Sequence, residues 1–414
     1  MPEPPGRLNF PFIAVVAARL TSNFGTFLSM MALNIYMLEL TDSPAWMGFT
    51  MAAKVISGIA ATPFIGHAVD RSDRKRLMIA SDLTLAAAML ALVVLPQAWL
   101  KLYIVFLMAL MGVFSTLFDV ALNAATPVIL GSQDTLRANS WLIGGRNLVV
   151  AAAGLCAAGA GFLFKGYNAI FIIDAATYLA SAAVLAALSM RTSESRAERP
   201  AAPGLLARLR SGFAELDRLP NARTVALFLG IMLLDAFASG SHNIGWPVFS
   251  KSLRPEQPMF YYGFILFFYA WGIVAGIYQL NRMAWLKRLR PETLYLCFTA
   301  LMSAGMILTF QTSRPWLIAL AALLAGMGDG TYQTYFTTYM QQVPDALRGK
   351  IFALSGLALR TGFSVGFLAV PLMLQRFSVA ATAALFHGLV LAAVAFVFVA
   401  PRARPAAAAA QEEI

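Results

Sequence analysis

Charged residues and cysteines are scarce in this 414-residue sequence. Asp, Glu, Lys and Arg make up 12% of it and 59% is hydrophobic, against roughly 25% charged and 45–50% apolar in soluble domains. These charged side chains are too few to cover the surface of a soluble protein of this length, which argues against a cytoplasmic enzyme or a disordered chain. Cys156 and Cys297 both lie in apolar runs, so we interpret them as reduced packing residues rather than a disulfide framework.

Long apolar runs are abundant instead, and they predict an all-α membrane protein with twelve transmembrane helices. Each run is near the roughly 20 residues that a helix needs to cross a bilayer. The first run is long enough to span and lacks a small-residue cleavage site, so we expect a retained helix and not a signal peptide. The predicted spans are Pro11–Leu38, Ala45–Ile65, Leu77–Leu95, Leu102–Ala125, Ser140–Phe164, Ala169–Met190, Thr224–Phe249, Met259–Leu280, Glu292–Phe310, Pro315–Met340, Ile351–Leu374 and Val379–Ala400.

The placement of Lys and Arg predicts the orientation in the membrane. Most of the 31 basic residues fall in segments on the side of the N-terminus, and cytoplasmic segments carry such an excess. We therefore predict a protein of the cell inner membrane with both termini cytoplasmic. Contact with anionic lipid headgroups explains the net charge of +11 without a nucleic-acid partner. The opposite segments hold Lys101, Lys165, Lys251, Arg254, Arg314 and Arg376.

One long connection divides the chain after the sixth span. We predict an N-terminal six-helix bundle over residues 1–190, a cytoplasmic linker over 191–223, a C-terminal six-helix bundle over 224–400 and a cytoplasmic tail over 401–414. Within the linker, Leu205–Leu219 is apolar at helical spacing with interleaved arginines, as in a helix that lies at the membrane surface.

The two halves share a short pattern. Asp134-Thr-Leu-Arg137 between spans four and five recurs as Asp345-Ala-Leu-Arg348 between spans ten and eleven. Internal duplication predicts two pseudo-symmetric bundles with a substrate path between them.

The most specific local pattern follows the second span. Glycine permits a sharp turn at a helix end, and the alternating charges after it can pair with each other and with helix termini of the opposite half. A basic anchor of the kind common in cytoplasmic loops is the alternative interpretation. The segment reads Gly66-His-Ala-Val-Asp70-Arg71-Ser-Asp73-Arg74-Lys75.

This segment resembles the signature between the second and third helices of the major facilitator superfamily. Asp73 stands where that family usually has a second glycine, a variation similar to its macrolide and enterobactin exporter branch, which contains drug:proton antiporters. The resemblance implies two six-helix bundles around a cavity that opens alternately to each side, and transport driven by an ion gradient. It also implies a cytoplasmic gate formed by Gly66, Asp70, Arg71, Arg74, Lys75 and Asp82.

Two departures from the family bear on the coupling ion. Span four lacks the arginine that many proton antiporters carry. Span five keeps the glycines of the antiporter pattern, at Gly154, Gly159 and Gly161, but not its proline. Proton antiport is therefore an inference and not a motif match.

Eight ionisable residues fall inside the predicted spans. Each costs about 2.5–3.5 kcal/mol when it faces lipid at the bilayer centre, so all should face protein or water. They either form internal ion pairs that fix helix packing or line a hydrated cavity. The cations are Arg19, Lys54, Arg146 and Arg360, and the aspartates are Asp119, Asp174, Asp235 and Asp329.

Polar residues continue from several of these charges along one helix face, as the wall of a hydrated cavity requires. We expect Asp119, Asp235 and Asp329 to carry protons, because a carboxylate whose burial changes between states loads and releases a proton. Guanidinium groups favour a carboxylate-bearing solute such as a siderophore. The predicted cavity residues are Arg19, Asn23, Lys54, Asn123, Arg146, Asp174, Ser239, His242, Asn243, Trp246, Tyr332, Gln333 and Arg360.

Together these patterns favour a monomeric secondary transporter without cofactor or metal, which exports an amphiphilic drug or siderophore in exchange for protons. Import of a siderophore or another organic anion on the same fold is the first alternative. Gly326-Met-Gly328-Asp329 resembles a motif of intramembrane aspartyl proteases, which need a second aspartate that shares the proton. A non-transporting membrane receptor is the remaining alternative. The three histidines show no metal-ligand spacing, and the sequence has no motif for binding ATP phosphates.

Overall fold

A computed structural model describes most of the chain, and its described part is all helical. The predicted surface helix Leu205–Leu219 lies outside the described residues except at Ala214, Leu216 and Leu219, as do Asp134 and the C-terminal tail. The side chain of Arg137 lies outside them too. The described residues are 10–130, 135–190, 192, 214, 216, 219 and 221–399.

Twelve α-helices follow one another along the described residues, joined mainly by tight turns, with one short 3-10 helix at Leu286–Arg288. Their bounds are α1 Phe10–Thr41, α2 Pro44–Arg71, α3 Arg74–Val94, α4 Gln97–Leu130, α5 Thr135–Leu163, α6 Asn168–Ala187, α7 Ala222–Leu253, α8 Met259–Arg282, α9 Pro291–Thr309, α10 Pro315–Gln341, α11 Asp345–Leu374 and α12 Val379–Val399.

Eleven of these helices are long and apolar enough to cross a membrane, and α10 is the exception. The second half of α10 carries Asp329, Gln333 and three tyrosines, which lowers its hydropathy although its 27 residues are sufficient in length. A polar helix at membrane depth is tolerated where it lines a cavity or faces other helices. The chain is a multi-pass membrane protein, as the sequence predicts.

Several helices extend beyond the predicted spans. The helix α4 runs over Gln97–Leu130 where Leu102–Ala125 is predicted, and α11 begins at Asp345. An apolar count marks only the segment inside the hydrocarbon, whereas backbone hydrogen bonding continues into the polar region. Thr135 to Arg137 of the first Asp-x-Leu-Arg copy, and the second copy from Asp345 to Arg348, therefore lie in the first turns of α5 and α11 and not in free loops.

The helices form two bundles with matching internal packing. In the first bundle α1 packs on α5 and α6, α2 on α4, and α3 on α4 and α6. Each of these pairs recurs six helices later, as α7 with α11 and α12, α8 with α10, and α9 with α10 and α12. This correspondence confirms the predicted pseudo-symmetric arrangement.

The bundles meet through close helix crossings, α5 against α8 and α2 against α11. A Cβ atom added at Gly263 would lie 2.3 Å from the backbone oxygen of Gly154, and one at Gly48 would lie 2.4 Å from the backbone oxygen of Phe367. Only glycine allows backbones to approach this closely. These crossings therefore fix how the two bundles fit together.

We call the end of the molecule where α1 stops and α2 begins the closed end. There Lys251 of the second bundle forms an ion pair with Asp42 of the first at 3.0 Å. The guanidinium of Arg254 lies 5.3 Å from the ring centre of Phe162, which is also an inter-bundle contact. Polar and charged residues joining the bundles are thus found where α1, α5 and α7 end.

Toward the opposite end, which we call the open end, polar residues of the inner helices are exposed. They are Asp119 and Asn123 on α4, Arg146 on α5 and Gln333 on α10. The predicted orientation places this open end on the cytoplasmic side. Cys156 and Cys297 are free, but both are exposed, so the prediction that they pack inside the protein is wrong; an apolar run around a cysteine indicates lipid as readily as core.

Candidate functional site

An ion pair joins α1 to α4 in the N-terminal bundle. The guanidinium of Arg19 donates a hydrogen bond to the Asp119 carboxylate at 2.5 Å, and it lies 4.4 Å from the ring centre of Phe118. Arg19 is buried, whereas the Asp119 side chain is 55% exposed. The pair therefore neutralises a buried cation and keeps its carboxylate accessible from the open end.

Two further cations lie along α1 beside apolar groups. The guanidinium of Arg146 is 5.6 Å from the ring centre of Phe27, and the ammonium of Lys54 contacts the sulfur of Met30. Within the described part of the chain neither forms an ion pair with a carboxylate. Asn23, on the same stretch of α1, is half-buried.

The structure places Asp174, one of the predicted cavity residues, in the contact between two helices. It is fully buried where α6 packs on α1, and it accepts hydrogen bonds from the hydroxyls of Ser29 and Thr177. Gly25 of α1 lies directly against it. Hydroxyl donors from neighbouring turns satisfy a buried carboxyl, so Asp174 belongs to the packing of the N-terminal bundle.

The C-terminal bundle holds two buried carboxyl groups that meet hydroxyl and amide donors. The Tyr332 hydroxyl donates to Asp235 at 2.7 Å, and the Tyr269 hydroxyl donates to Asp329 at 2.7 Å. The amide of Gln333, one turn after Asp329, donates to its other oxygen. Helices α7, α8 and α10 together build this carboxylate cluster, which we define as Asp235, Tyr269, Asp329, Tyr332 and Gln333.

Aromatic rings border the carboxylate cluster. Trp246 of α7 lies 5.6 Å from Tyr269 and 6.4 Å from Tyr262, between ring centres. Tyr295 of α9 meets Tyr332 edge to face at 5.4 Å. The amide of Asn34 on α1 donates to the Tyr262 hydroxyl at 3.3 Å. This last contact links the N-terminal bundle to the aromatic border of the cluster.

His242 lies in helix packing and not in the cavity. Its Nδ1 is 3.1 Å from Nε2 of His387 on α12, and Nδ1 of His387 is 3.3 Å from the hydroxyl of Ser303 on α9. Both rings are buried. His242 is therefore a hydrogen-bonded packing histidine. Its partner is 145 residues away in the chain, and sequence spacing does not reveal it.

Three other predicted cavity residues take simpler places. Ser239 is buried, and the Asn243 side chain donates to its backbone oxygen at 2.9 Å, within α7. Arg360 is half-buried on α11, and it forms no ion pair with any residue that the structure describes. The eight intramembrane charges thus do not form four internal pairs.

The basic residues after α2 bind helix ends of their own bundle. Arg74 donates to the backbone oxygens of Ala124 and Thr192 at 2.8 and 3.0 Å, and Lys75 donates to that of Leu188 at 2.7 Å. A cation near the last carbonyls of a helix is favourable. The expected pairing of these residues with the opposite bundle is absent from the described residues.

Of the remaining predicted gate residues, Asp70 and Arg71 lie at the protein surface, whereas Gly66 and Asp82 lie within helices. Asp70 and Arg71 are exposed, but Gly66 lies inside α2, where an added Cβ would meet nothing within 4 Å. The sharp turn predicted there is wrong, because α2 continues to Arg71. Asp82 is 1% exposed within α3, on the helix that packs on α6, so the structure does not place it at a gate.

The Gly-x-Gly-Asp string is explained by close helix packing. A Cβ at Gly326 would lie 2.0 Å from the backbone oxygen of Tyr269 on α8, and one at Gly328 would lie 2.5 Å from the backbone nitrogen of Met302 on α9. Glycine at both positions lets three helices pack around Asp329. The motif therefore needs no proteolytic role.

Sequence reasoning named Tyr332 of the carboxylate cluster but missed Tyr269. Tyr269 lies in a span rich in phenylalanine and free of charge, and its hydroxyl is the one feature that distinguishes it from packing rings. A second signal was also available. Asp119 and Asn123 on α4, and Asp329 and Gln333 on α10, show the same four-residue spacing of a carboxylate and an amide in corresponding helices.

Comparison with known proteins agrees with this architecture. The family model of the Major Facilitator Superfamily matches residues 15–343. Macrolide efflux protein A of Streptococcus pyogenes is 28% identical over 127 residues, which cover 30% of this chain and 31% of that protein. The chain thus matches less than a third of the length of this relative.

Solved structures extend the likeness to almost the whole chain. A nucleoside transporter, NupG, has a TM-score of 0.76 at 12% identity and covers 94% of this chain and 99% of its own. A peptide transporter, POT, has a TM-score of 0.70 at 14% identity and covers 95% of each chain. A bacterial homologue of the human lysosomal transporter Spinster, solved inward-facing and unoccupied, has a TM-score of 0.66 at 12% identity and covers 94% of each chain. At these identities the likeness shows the fold.

Proposed function

Because the chain belongs to the Major Facilitator Superfamily, we propose that it is a secondary transporter that exports an amphiphilic small molecule by alternating access, coupled to proton influx. One observation carries the proposal: two matching bundles join at a closed end, while ionisable residues at their centre are accessible from the open end. A solute path between such bundles has the geometry of alternating access. The protein acts in this proposal as a monomer in the cell inner membrane, with its open end and both termini cytoplasmic.

Three carboxyl groups are the proposed proton carriers. Asp119 is accessible beside Arg19, whereas Asp235 and Asp329 are buried with tyrosine donors. Movement of the bundles changes which of these groups meets water, and a carboxyl group loads or releases a proton as its surroundings change. Exchange of solute for protons requires this coupling between exposure and protonation.

Export is favoured over import by the partial likeness to a macrolide efflux protein. A macrolide is therefore the first solute to test, with a siderophore as the second. Extrusion from cells distinguishes export from uptake of the same solute, which the import alternative requires.

The decisive experiment uses purified protein in liposomes with an imposed pH gradient. We expect solute movement that depends on the gradient, and a loss of about tenfold or more in the Asp235→Asn and Asp329→Asn variants. Glu256→Gln, which removes an exposed carboxylate in the turn between α7 and α8, serves as the control and should keep transport. Movement equal to that of protein-free liposomes under every gradient, with partner binding intact, would instead support a non-transporting receptor.

A further inference from the structure

We propose that the carboxylate cluster of the C-terminal bundle is a binding site for a protonated amine of the transported solute. This inference rests on the proposed transport function and adds the charge class of the solute. It departs from the carboxylate-bearing solute that the basic residues of the sequence suggest.

The cluster lacks a cation of its own. Arg19 with Asp119 and Lys251 with Asp42 form ion pairs, whereas neither Asp235 nor Asp329 has a cationic partner within the described part of the chain. A buried carboxylate without a compensating charge is costly. The proton proposed for these groups removes that cost in one state, and a cation that enters from outside the protein removes it once the proton has left.

One oxygen of the cluster has no hydrogen-bond donor. Asp235 is 3% exposed, its Oδ2 accepts from Tyr332, and its Oδ1 is buried with no partner among the described residues. Buried polar atoms are nearly always hydrogen-bonded, so an orphan oxygen indicates a missing donor. A primary or secondary ammonium group supplies both the N–H donor and the positive charge.

The aromatic border favours the same ligand. Trp246 and Tyr269 lie 5.6 Å apart, and Tyr295 and Tyr332 lie 5.4 Å apart, between ring centres. Of these rings, Tyr269 and Tyr332 touch the two carboxyl groups through their hydroxyls. The negative faces of aromatic rings attract cations and offer nothing comparable to an anion. Indole and phenol rings also accept the apolar carbons next to an ammonium group.

The site is compact and borders the accessible region. Asp235 and Asp329 are almost fully buried, but Gln333, which is hydrogen-bonded to Asp329, is exposed. At carboxyl groups buried to this degree a small ammonium group needs less displacement of side chains than a bulky quaternary centre does. The rest of an amphiphilic solute then extends past Gln333 between the bundles.

The N-terminal bundle shows the contrasting arrangement. Asp119 lies on α4, the helix that corresponds to α10 in the packing of the bundles, and it is already neutralised by Arg19. Lys54 and Arg146 remain as possible partners of an anionic solute, but they lie against Met30 and Phe27. The carboxyl groups without a cation, and the oxygen without a hydrogen-bond donor, both lie in the C-terminal bundle. We therefore assign the binding of the solute to this bundle, through an amine of the solute.

Binding to the purified protein in detergent tests this assignment without any gradient. Phenylbutylamine, phenylbutanol and phenylbutyrate share one skeleton and differ in the charge of one end. Isothermal titration calorimetry should show that the amine binds about tenfold or more tightly than the alcohol. The reason is the charge-assisted hydrogen bond between ammonium and carboxylate, which the alcohol cannot form. Equal binding of amine and alcohol, or tightest binding of the carboxylate, would overturn the proposal.

Variants locate the site. Asp235→Asn and Asp329→Asn should each remove the preference for the amine and leave the binding of the alcohol unchanged. Asp329→Glu keeps the carboxylate and should keep the preference, and Asp42→Asn is the matched control outside the cluster. An amine preference that survives both Asn variants would contradict the assignment. If an Asn variant does not fold, the affinities of the three probes for the wild-type protein decide whether the site binds amines. A protein that binds the amine most tightly but does not transport would contradict the proposed function and leave the amine site standing.

Discussion

The two bundles share a helix arrangement but treat their buried charges differently. In the N-terminal bundle Arg19 compensates Asp119, and Asp174 is satisfied by Ser29 and Thr177. In the C-terminal bundle Asp235 and Asp329 meet tyrosine and amide groups but no cation among the described residues. A duplicated fold can thus keep its packing while one half pairs a carboxylate with a cation and the other holds its carboxyl groups with neutral donors.

The largest expected difference in stability comes from breaking the ion pair of the N-terminal bundle. Arg19→Gln removes the charge-assisted hydrogen bond to Asp119, whose side chain is 55% exposed and stays in contact with water. It should lower the free energy of unfolding by about 1–2 kcal/mol, the contribution of such a hydrogen bond. Denaturation of the purified protein in detergent measures this change. The double variant Arg19→Gln with Asp119→Asn should recover part of the loss, because it removes the orphaned charge.

Arg376→Gln is the control for this measurement, since Arg376 is an exposed arginine near the end of α11. It should change the free energy of unfolding by no more than about 0.5 kcal/mol. If Arg19→Gln and Arg376→Gln behave alike, the ion pair does not stabilise the N-terminal bundle.

A smaller change in the free energy of unfolding, in the opposite direction, is expected in the C-terminal bundle. Asp329→Asn removes a carboxylate that has no cation partner and keeps an oxygen for Tyr269 to bind. The free energy of unfolding should stay unchanged or rise by up to about 1 kcal/mol. The same denaturation measurement applies, and a loss as large as that of Arg19→Gln would end the distinction between the two bundles.

Helix number, helix faces and the family were within reach of the sequence. Apolar length predicts spans, and three- and four-residue spacing places Arg19, Phe27, Met30 and Asn34 on one face of α1, where the structure shows each of them in contact with another helix. Periodicity indicates which face is buried, but not which neighbour it meets.

The partners of the charges were therefore beyond sequence reasoning. Arg19 and Asp119 are 100 residues apart, and His242 and His387 are 145 apart. Asp174 is an aspartate within a predicted span, like Asp119, Asp235 and Asp329. Only the neighbouring helix α1, which the sequence does not reveal, makes it a packing residue. Gly66 was misplaced because a glycine before a charged segment suits a helix end, whereas this helix continues for another turn.

The central claim is that solute crosses between bundles that part at the closed end, and a reversible cross-link there tests it most directly. Cys156 and Cys297 are first replaced by serine because both are exposed, and Asp42→Cys and Lys251→Cys are introduced where the native side chains meet at 3.0 Å. A short bifunctional methanethiosulfonate reagent then joins the bundles. The account predicts that gradient-driven transport in liposomes stops on cross-linking and returns when the link is reduced. Transport at an unchanged rate by fully cross-linked protein would contradict it.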